Sequence, residues 1–352
     1  MNKLMKLKKN FKIENKVLGE DKPVYIIAEM SANHGNDLQR AIDIIHAAKE
    51  SGADAIKLQT YTADTLTLNH KSDFFFIKDG PWKNRYMYEL YQDASTPWEW
   101  HETLQVEAKK IGLTLFSSPF DPTSVEFLEE LSIPAYKIAS PEIIDLPLIR
   151  KVAQTGKPII ISTGGATLAQ INEALIAATN EGATEIALLK CTSTYPAPAN
   201  SINLKTIPHM RKAFGCSVGL SDHTMGIGVP IASVAFGTSI IEKHFILNRE
   251  DKTADSFFSA TPDEFSEMVK GIKVASEAIG EVSYPLSPKK PEKSIIVIKD
   301  IKQGELLNDE NIKILRPGGG LEPKEMERIL NHRALIDIEK GTPVKWNMVG
   351  TL

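Results

Sequence analysis

Cysteine is scarce in this chain: two in 352 residues, Cys191 and Cys216. Two thiols make no disulfide framework, and so point to a reducing cytoplasm. Long apolar runs are missing as well. No stretch approaches the roughly 18 apolar residues that a membrane span needs. Lysines interrupt the basic opening, MNKLMKLKKNFKIENK, so no secretory signal is expected there. Charge of one sign is also lacking. A formal net charge of −4 leaves no footprint for nucleic acid. What remains, at 42% hydrophobic and 24% charged residues, is an ordinary globular composition with room for one large domain and a small one.

From residue 24 to about 280, short β-branched runs alternate with longer amphipathic stretches. The strand candidates are 24–30, 55–60, 113–120, 135–140, 158–164, 186–192, 217–224 and 240–247. Between them, LQRAIDIIHAAKESG repeats apolar residues at three and four and stops at Gly52, and TLAQINEALIAATNEG does the same up to Gly182. Eight strand–helix repeats over about 250 residues predict a (β/α)8 barrel. A doubly wound open sheet is the alternative, but no Gly-rich phosphate fingerprint follows the first strand. Residues 61–96, with Phe74, Phe75 and Phe76, are too long for a plain loop; they read as an excursion over the barrel mouth or as a packed side lobe. The expected domains are the barrel over 1–282, a proline-rich linker over 283–294, and a small β-rich module over 295–352 with brief strands at IIVIK and ALIDI.

Barrel enzymes draw their active sites from the C-terminal ends of the strands. Those ends carry Glu29, Lys57, Gln59, Ser117, Ser118, Lys137, Ser140 and Glu142 in the first half of the chain. The second half carries Ser162, Thr163, Lys190, Tyr195, Ser221, Asp222, His223, Glu242 and His244. A lone lysine there can form a Schiff base, bind phosphate or sit in a structural ion pair. Several lysines converging with serine hydroxyls favour an anion site, because phosphate or carboxylate needs several charge-assisted donors at once. Either histidine alone reads as a satisfied core residue. As a pair on neighbouring strands, His223 and His244 suggest a divalent metal with open positions, of the Mn2+ or Mg2+ type. Asp255 is either a polyol-orienting carboxylate or a loop cap. Cys191 reads as a packed thiol with no evident base beside it.

Seven segments, AEMSANHGN (28–36), KLQTYTADT (57–65), SSPFD (117–121), AYKIASPE (135–142), STGGA (162–166), VGLSDHT (218–224) and IEKHF (241–245), resemble the sialic acid synthase family in order and over nearly the whole chain. RPGGGL in the C-terminal module resembles that family's antifreeze-like (SAF) domain. The opening AEMSANH, and Ser193 where the neuraminate branch carries asparagine, are similar to the branch that makes pseudaminic acid rather than N-acetylneuraminate or legionaminate. The resemblance implies condensation of phosphoenolpyruvate with an open-chain 6-deoxy diacetamido sugar. It places a metal, Mn2+ first with Mg2+ or Co2+ as alternatives, on His223 and His244. It assigns phosphoenolpyruvate contacts to Lys57, Ser118, Lys137, Ser140, Ser162, Ser193 and Ser221, with Gln59 and Glu142 in the substrate set. Tyr195 and Asp255 fall on the sugar side, and Glu29 near the reacting carbons. Arg316 is implied to reach a partner's site in a domain-swapped homodimer. A non-catalytic carbohydrate-binding barrel is the reading from a different class.

Overall fold

The computed structural model describes residues 6–285 and 291–351, so residues 286–290 of the expected linker lie outside the described residues. The chain divides into two compact units, Met1–Gly280 and Glu281–Leu352. Among the described residues no helix is long and apolar enough to cross a membrane.

Eight parallel strands close into a barrel in the first unit. They are β1 (Tyr25–Glu29), β2 (Ala55–Thr60), β3 (Thr114–Pro119), β4 (Tyr136–Ile138), β5 (Ile159–Ser162), β6 (Ile186–Cys191), β7 (Ser217–Asp222) and β8 (Ile240–His244). Each lies within a run read as a strand from its β-branched residues, and neighbours in sequence are neighbours around the barrel. The helices that follow them are α1 (Leu38–Glu50), α2 (His101–Lys110), α3 (Pro122–Glu130), α4 (Leu146–Ala153), α5 (Leu168–Asn180), α6 (Thr206–Phe214), α7 (Gly228–Ser233) and α8 (Pro262–Ile279). Their starts are written in the sequence. Asp121 accepts from the backbone N–H groups of Thr123 and Ser124 ahead of Pro122, and Thr167 with Gln170 and Thr261 with Glu264 form capping boxes.

Strand alternation sorts the side chains. Ile26, Ile56, Leu58, Leu115 and Ile241 point outward and pack with α1, α2 and α8. Tyr136, Ile138, Ile159, Ile161, Leu188, Val218 and Leu220 pack with α3 to α6. The opposite parity, including Ile27, Ala55, Phe116, Ala135, Ile160, Leu189 and Ile240, fills the interior. Gly219 belongs there because a Cβ would stand 2.3 Å from the Ile240 carbonyl oxygen.

An antiparallel hairpin, Asn10–Ile13 with Lys16–Gly19, is an element the basic opening stretch gave no reason to expect. It inserts Phe11, Ile13 and Leu18 into the interior cluster. It is tied to the strands' N-terminal ends, where the Ser217 hydroxyl donates to the Lys9 carbonyl and Thr114 donates to Glu14. One end of the barrel is thereby plugged with apolar groups. The C-terminal end stays polar.

In the second unit Ser294–Val297 pairs with Ile312–Leu315, and Ile295, Val297, Leu307, Ile312, Ile329 and Val344 share its core. The ALIDI run, expected as a strand, forms only isolated bridges at Ala334 and Ile338; its middle residues Leu335 and Ile336 are exposed, so no continuous ladder builds on it.

Candidate active site

Parity decides which strand-end residues meet. Glu29 (β1), Lys57 and Gln59 (β2), Ser118 (β3), Lys137 (β4), Ser162 (β5), Cys191 (β6), Ser221 (β7), and Glu242 and His244 (β8) continue the inward-facing register, and His223 follows one step beyond β7. Ser117, Lys190, Asp222 and Lys243 have the outward parity and serve the barrel wall. Lys243 is paired with Asp222 at 2.6 Å, and Lys190 donates to the Cys191 carbonyl and the Thr192 hydroxyl.

Two buried lysines and two buried carboxylates form the inner centre. Lys57 lies 2.5 Å from Glu29 and donates to the Ser118 hydroxyl at 3.2 Å. Glu242 accepts from Lys137 at 3.4 Å and from Ser221 at 3.5 Å, and lies 3.9 Å from Lys57. The strand-end inventory contained Glu242, but nothing in the sequence singled it out as the residue joining both lysines; its +2 spacing from Ile240 on the inward face was the available signal. Burial pushes Glu242 up, yet Lys137 and Lys57 outweigh it and hold the carboxyl low. Burial dominates at Glu29, against the pull of Lys57 and with repulsion from Glu242, and lifts it to about 7. One carboxylate is thus kept charged and the other is poised near neutrality, the division that acid–base chemistry requires. Burial also lowers Lys137, against the pull of Glu242. The Ser162 hydroxyl and Oε2 of Glu242 have no hydrogen-bond partner among the described residues. The Ser162 hydroxyl, an unspent buried donor near two lysines, is what an anion-accepting centre leaves for its ligand, whereas the Glu242 oxygen is an acceptor and serves the lysines.

Above this centre stand the two histidines, with ring centroids 5.3 Å apart. His223 Nδ1 is 3.0 Å from the Thr192 carbonyl oxygen, which assigns the proton to Nδ1 and leaves the Nε2 lone pair free. His244 Nδ1 is buried without a hydrogen bond among the described residues. Burial, aided by His223 and Lys57, depresses His244 and keeps it neutral, the state in which imidazole ligates metal. Among the described residues no three His, Cys, Asp or Glu side chains are arranged around one metal position. The Nε2 lone pair of His223 and the unpartnered Nδ1 of His244 are two nitrogens that could hold a cation, with other positions left to water or substrate. The polar neighbour that Cys191 lacked in sequence is supplied by the fold, as a hydrogen-bond donor and not as a base. Its sulfur lies 3.9 Å from His223 Nδ1; burial pushes the thiol up, and the His223 hydrogen bond brings it down to about 7.

The rim is aromatic and carboxylic. The Tyr195 ring lies 4.4 Å from His223 and 5.0 Å from Phe258, and Phe258 lies 4.7 Å from His244. Asp255 is buried, accepts from Ser31 at 2.5 Å and lies 3.7 Å from His244; burial raises it. Gln59 donates to Glu29 at 2.8 Å and to Ser31 at 3.0 Å, linking this side to the inner centre. Ser140 accepts from the Gly164 N–H at 3.1 Å. A Cβ on Gly164 would meet the Ser193 hydroxyl at 2.1 Å, so glycine keeps Ser140 and Ser193 close to the backbone there. Glu142, lifted to about 7 by burial, has an unpartnered Oε2 among the described residues. The Phe74–Phe76 run does not line this rim. Phe74 is 84% exposed and packs on Phe75, Phe75 packs on His70, and Phe76 packs on Tyr86. The excursion approaches the site through Trp82 instead, whose indole N–H donates to the Ala254 carbonyl at 2.9 Å. Arg316 belongs to the second unit, where it is exposed and 3.1 Å from Glu292.

The NeuB family profile matches residues 44–284 and the SAF domain profile residues 292–350. The chain is 47% identical over 328 residues to the pseudaminic acid synthase of Helicobacter pylori, covering 92% of this chain and 96% of that protein. It is 36% identical to an N,N'-diacetyllegionaminic acid synthase of Campylobacter jejuni, covering 88% of this chain and 95% of that one. Among solved structures, an N-acetylneuraminic acid synthetase of Leptospira borgpetersenii superposes with a TM-score of 0.72 at 29% identity, over 80% of this chain and 93% of that chain.

Proposed function

The chain belongs to the NeuB family, and on that premise we propose that it condenses phosphoenolpyruvate with open-chain 2,4-diacetamido-2,4,6-trideoxy-altrose and water, giving pseudaminic acid and phosphate. The choice of branch is supported by the higher identity to the Helicobacter pylori synthase than to the legionaminic acid synthase. The one structural observation that carries the chemistry is the Lys57–Glu29 and Lys137–Glu242 centre beneath the histidine pair. We take residues 1–282 as the catalytic barrel, 283–294 as the linker and 295–352 as the SAF domain.

In this reading Lys57, Lys137 and the hydroxyls of Ser118, Ser162 and Ser221 bind the anionic groups of phosphoenolpyruvate, with Ser140 and Ser193 at the edge. Fixing the enol beside the sugar makes a bimolecular step unimolecular, worth up to about 7–11 kcal/mol at the extreme. C3 of phosphoenolpyruvate attacks C1 of the sugar aldehyde: the enol π pair becomes the new C–C bond, the C=O π pair moves onto the aldehyde oxygen, which takes up a proton, and C2 is left as an oxocarbenium centre. Water then adds at C2, and phosphate leaves with its C–O electron pair from the tetrahedral carbon. Glu29, lifted to about 7 and held by Gln59, takes the water's proton. Glu242 keeps both lysines charged. Asp255, Gln59 and Glu142 position sugar hydroxyl and amide groups, and Tyr195 lays its ring against the sugar. His223 and His244 would hold a divalent cation, Mn2+ before Mg2+ or Co2+, which when bound supplies Lewis-acid polarisation of the aldehyde.

We place the enzyme in the cytoplasm on its two free thiols. As the working unit we propose a homodimer in which the partner's SAF domain offers its arginine, here Arg316, to the sugar. The test is phosphate release from phosphoenolpyruvate by metal-stripped protein with Mn2+ restored, offered the 6-deoxy sugar or N-acetylmannosamine. Release confined to the 6-deoxy sugar is expected. Release with N-acetylmannosamine alone overturns the branch, and sugar binding without phosphate release favours the non-catalytic barrel.

A further inference from the structure

Three separate loops deliver aromatic rings to the rim. The excursion after β2 contains a short hairpin, Phe76–Ile77 with Arg85–Tyr86, and Trp82 sits in its connecting loop. Trp82 meets the Tyr195 ring of the β6–α6 loop at 5.5 Å. Its N–H reaches the carbonyl of Ala254, next to Asp255 in the β8–α8 loop that also carries Phe258. Tyr195 touches Phe258 in turn, and both rings border the histidine pair.

We propose that Trp82 is a specificity-determining residue that, with Tyr195 and Phe258, forms an apolar wall selecting an acceptor sugar that ends in a methyl group over one that ends in a hydroxymethyl group. The inference rests on the functional reading above and deepens it. Indole and phenyl faces gain from a methyl and cannot repay a hydroxyl for the water it loses. The single donor on the indole is spent on the Ala254 carbonyl, so Trp82 has no hydrogen to offer a sugar hydroxyl. An apolar pocket distinguishes such neighbours by about 10–200-fold, and no more. The phenylalanines of the same excursion pack elsewhere, Phe74 on Phe75 and Phe76 on Tyr86; the tryptophan at the hairpin tip is the group in place.

The experiment compares kcat/KM for the 2,4-diacetamido-2,4,6-trideoxy sugar and for its 6-hydroxy counterpart in wild type, Trp82→Ala and Trp82→Phe, with KM for phosphoenolpyruvate as the control. Trp82→Ala should lower the 6-deoxy preference by about tenfold or more through the sugar KM, leaving the phosphoenolpyruvate KM within about twofold. Trp82→Phe keeps a ring without the N–H and should retain most of the preference. An unchanged preference in Trp82→Ala overturns the inference alone. So does a phosphoenolpyruvate KM that rises in step with the sugar KM, or a Trp82→Phe variant as unselective as Trp82→Ala. Wild-type protein inactive with both sugars overturns the functional reading and the inference with it.

Discussion

Glu29→Gln replaces a carboxyl that the barrel holds partly protonated at neutral pH. Burial lifts Glu29 from 4.5 to about 7, net of the attraction of Lys57 and the repulsion of Glu242. At about 1.36 kcal/mol per pKa unit, ionising it in the folded barrel costs about 3 kcal/mol more than in the unfolded chain. The folded value lies above the unfolded one, so the unfolded chain releases this proton first. The protonated carboxyl's contribution to stability is complete below about pH 4.5 and is lost as pH rises through about 7. Glutamine has no proton to lose. The stability of the variant relative to wild type should therefore climb by up to about 3 kcal/mol between about pH 5 and about pH 8. Urea unfolding of both proteins at the two pH values measures this, and the difference cancels Glu142, which titrates in the same range. Activity should move the other way. Removing a general base typically costs about 10²–10⁴-fold in kcat, and the acid limb of the rate profile near pH 7 should vanish. A stability difference that does not climb between the two pH values, or a variant retaining full kcat, would refute the reasoning.

Lys137→Met removes the donor 3.4 Å from Glu242; its phosphoenolpyruvate KM should rise about 10–100-fold with little change in the sugar KM, as read from steady-state phosphate release. Equal rises in both constants would contradict the assignment of Lys137 to the anion. Lys243→Met strands the buried Asp222 charge on the outward face and should destabilise the barrel by about 3–5 kcal/mol in urea unfolding, with both KM values unchanged. A loss below about 1 kcal/mol would show that the wall does not need this pair.

The barrel was legible because its signals are local. β-branched runs, Asp121 ahead of Pro122, and the stops at Gly52 and Gly182 each act within a few residues, and the strands form inside the segments so marked. The candidate site was half legible. The residue types at strand ends announce anion and metal chemistry, and alternation alone, counted from Ala55 or Ile240, assigns Lys57, Glu242 and His244 to the interior. Other features depend on residues far apart in the chain. The Phe74–Phe76 run reads as an excursion over the mouth or a side lobe, yet its rings pack on Phe75, His70 and Tyr86, and the excursion reaches the rim with Trp82.

By itself, then, the amino-acid sequence determined the eight-fold strand–helix repeat, the small β-rich module, and the kinds of side chain available at the barrel's open end. The tertiary structure alone decided that Glu29 is pushed up while Glu242 stays charged. It also decided that His223 stands beside Cys191, and that a hairpin from residues 10–19 plugs the other end. The physical reason is range: propensity and periodicity act along a few residues of chain. Desolvation, ion pairing and ring packing act through space, between groups that the closing of the barrel brings together.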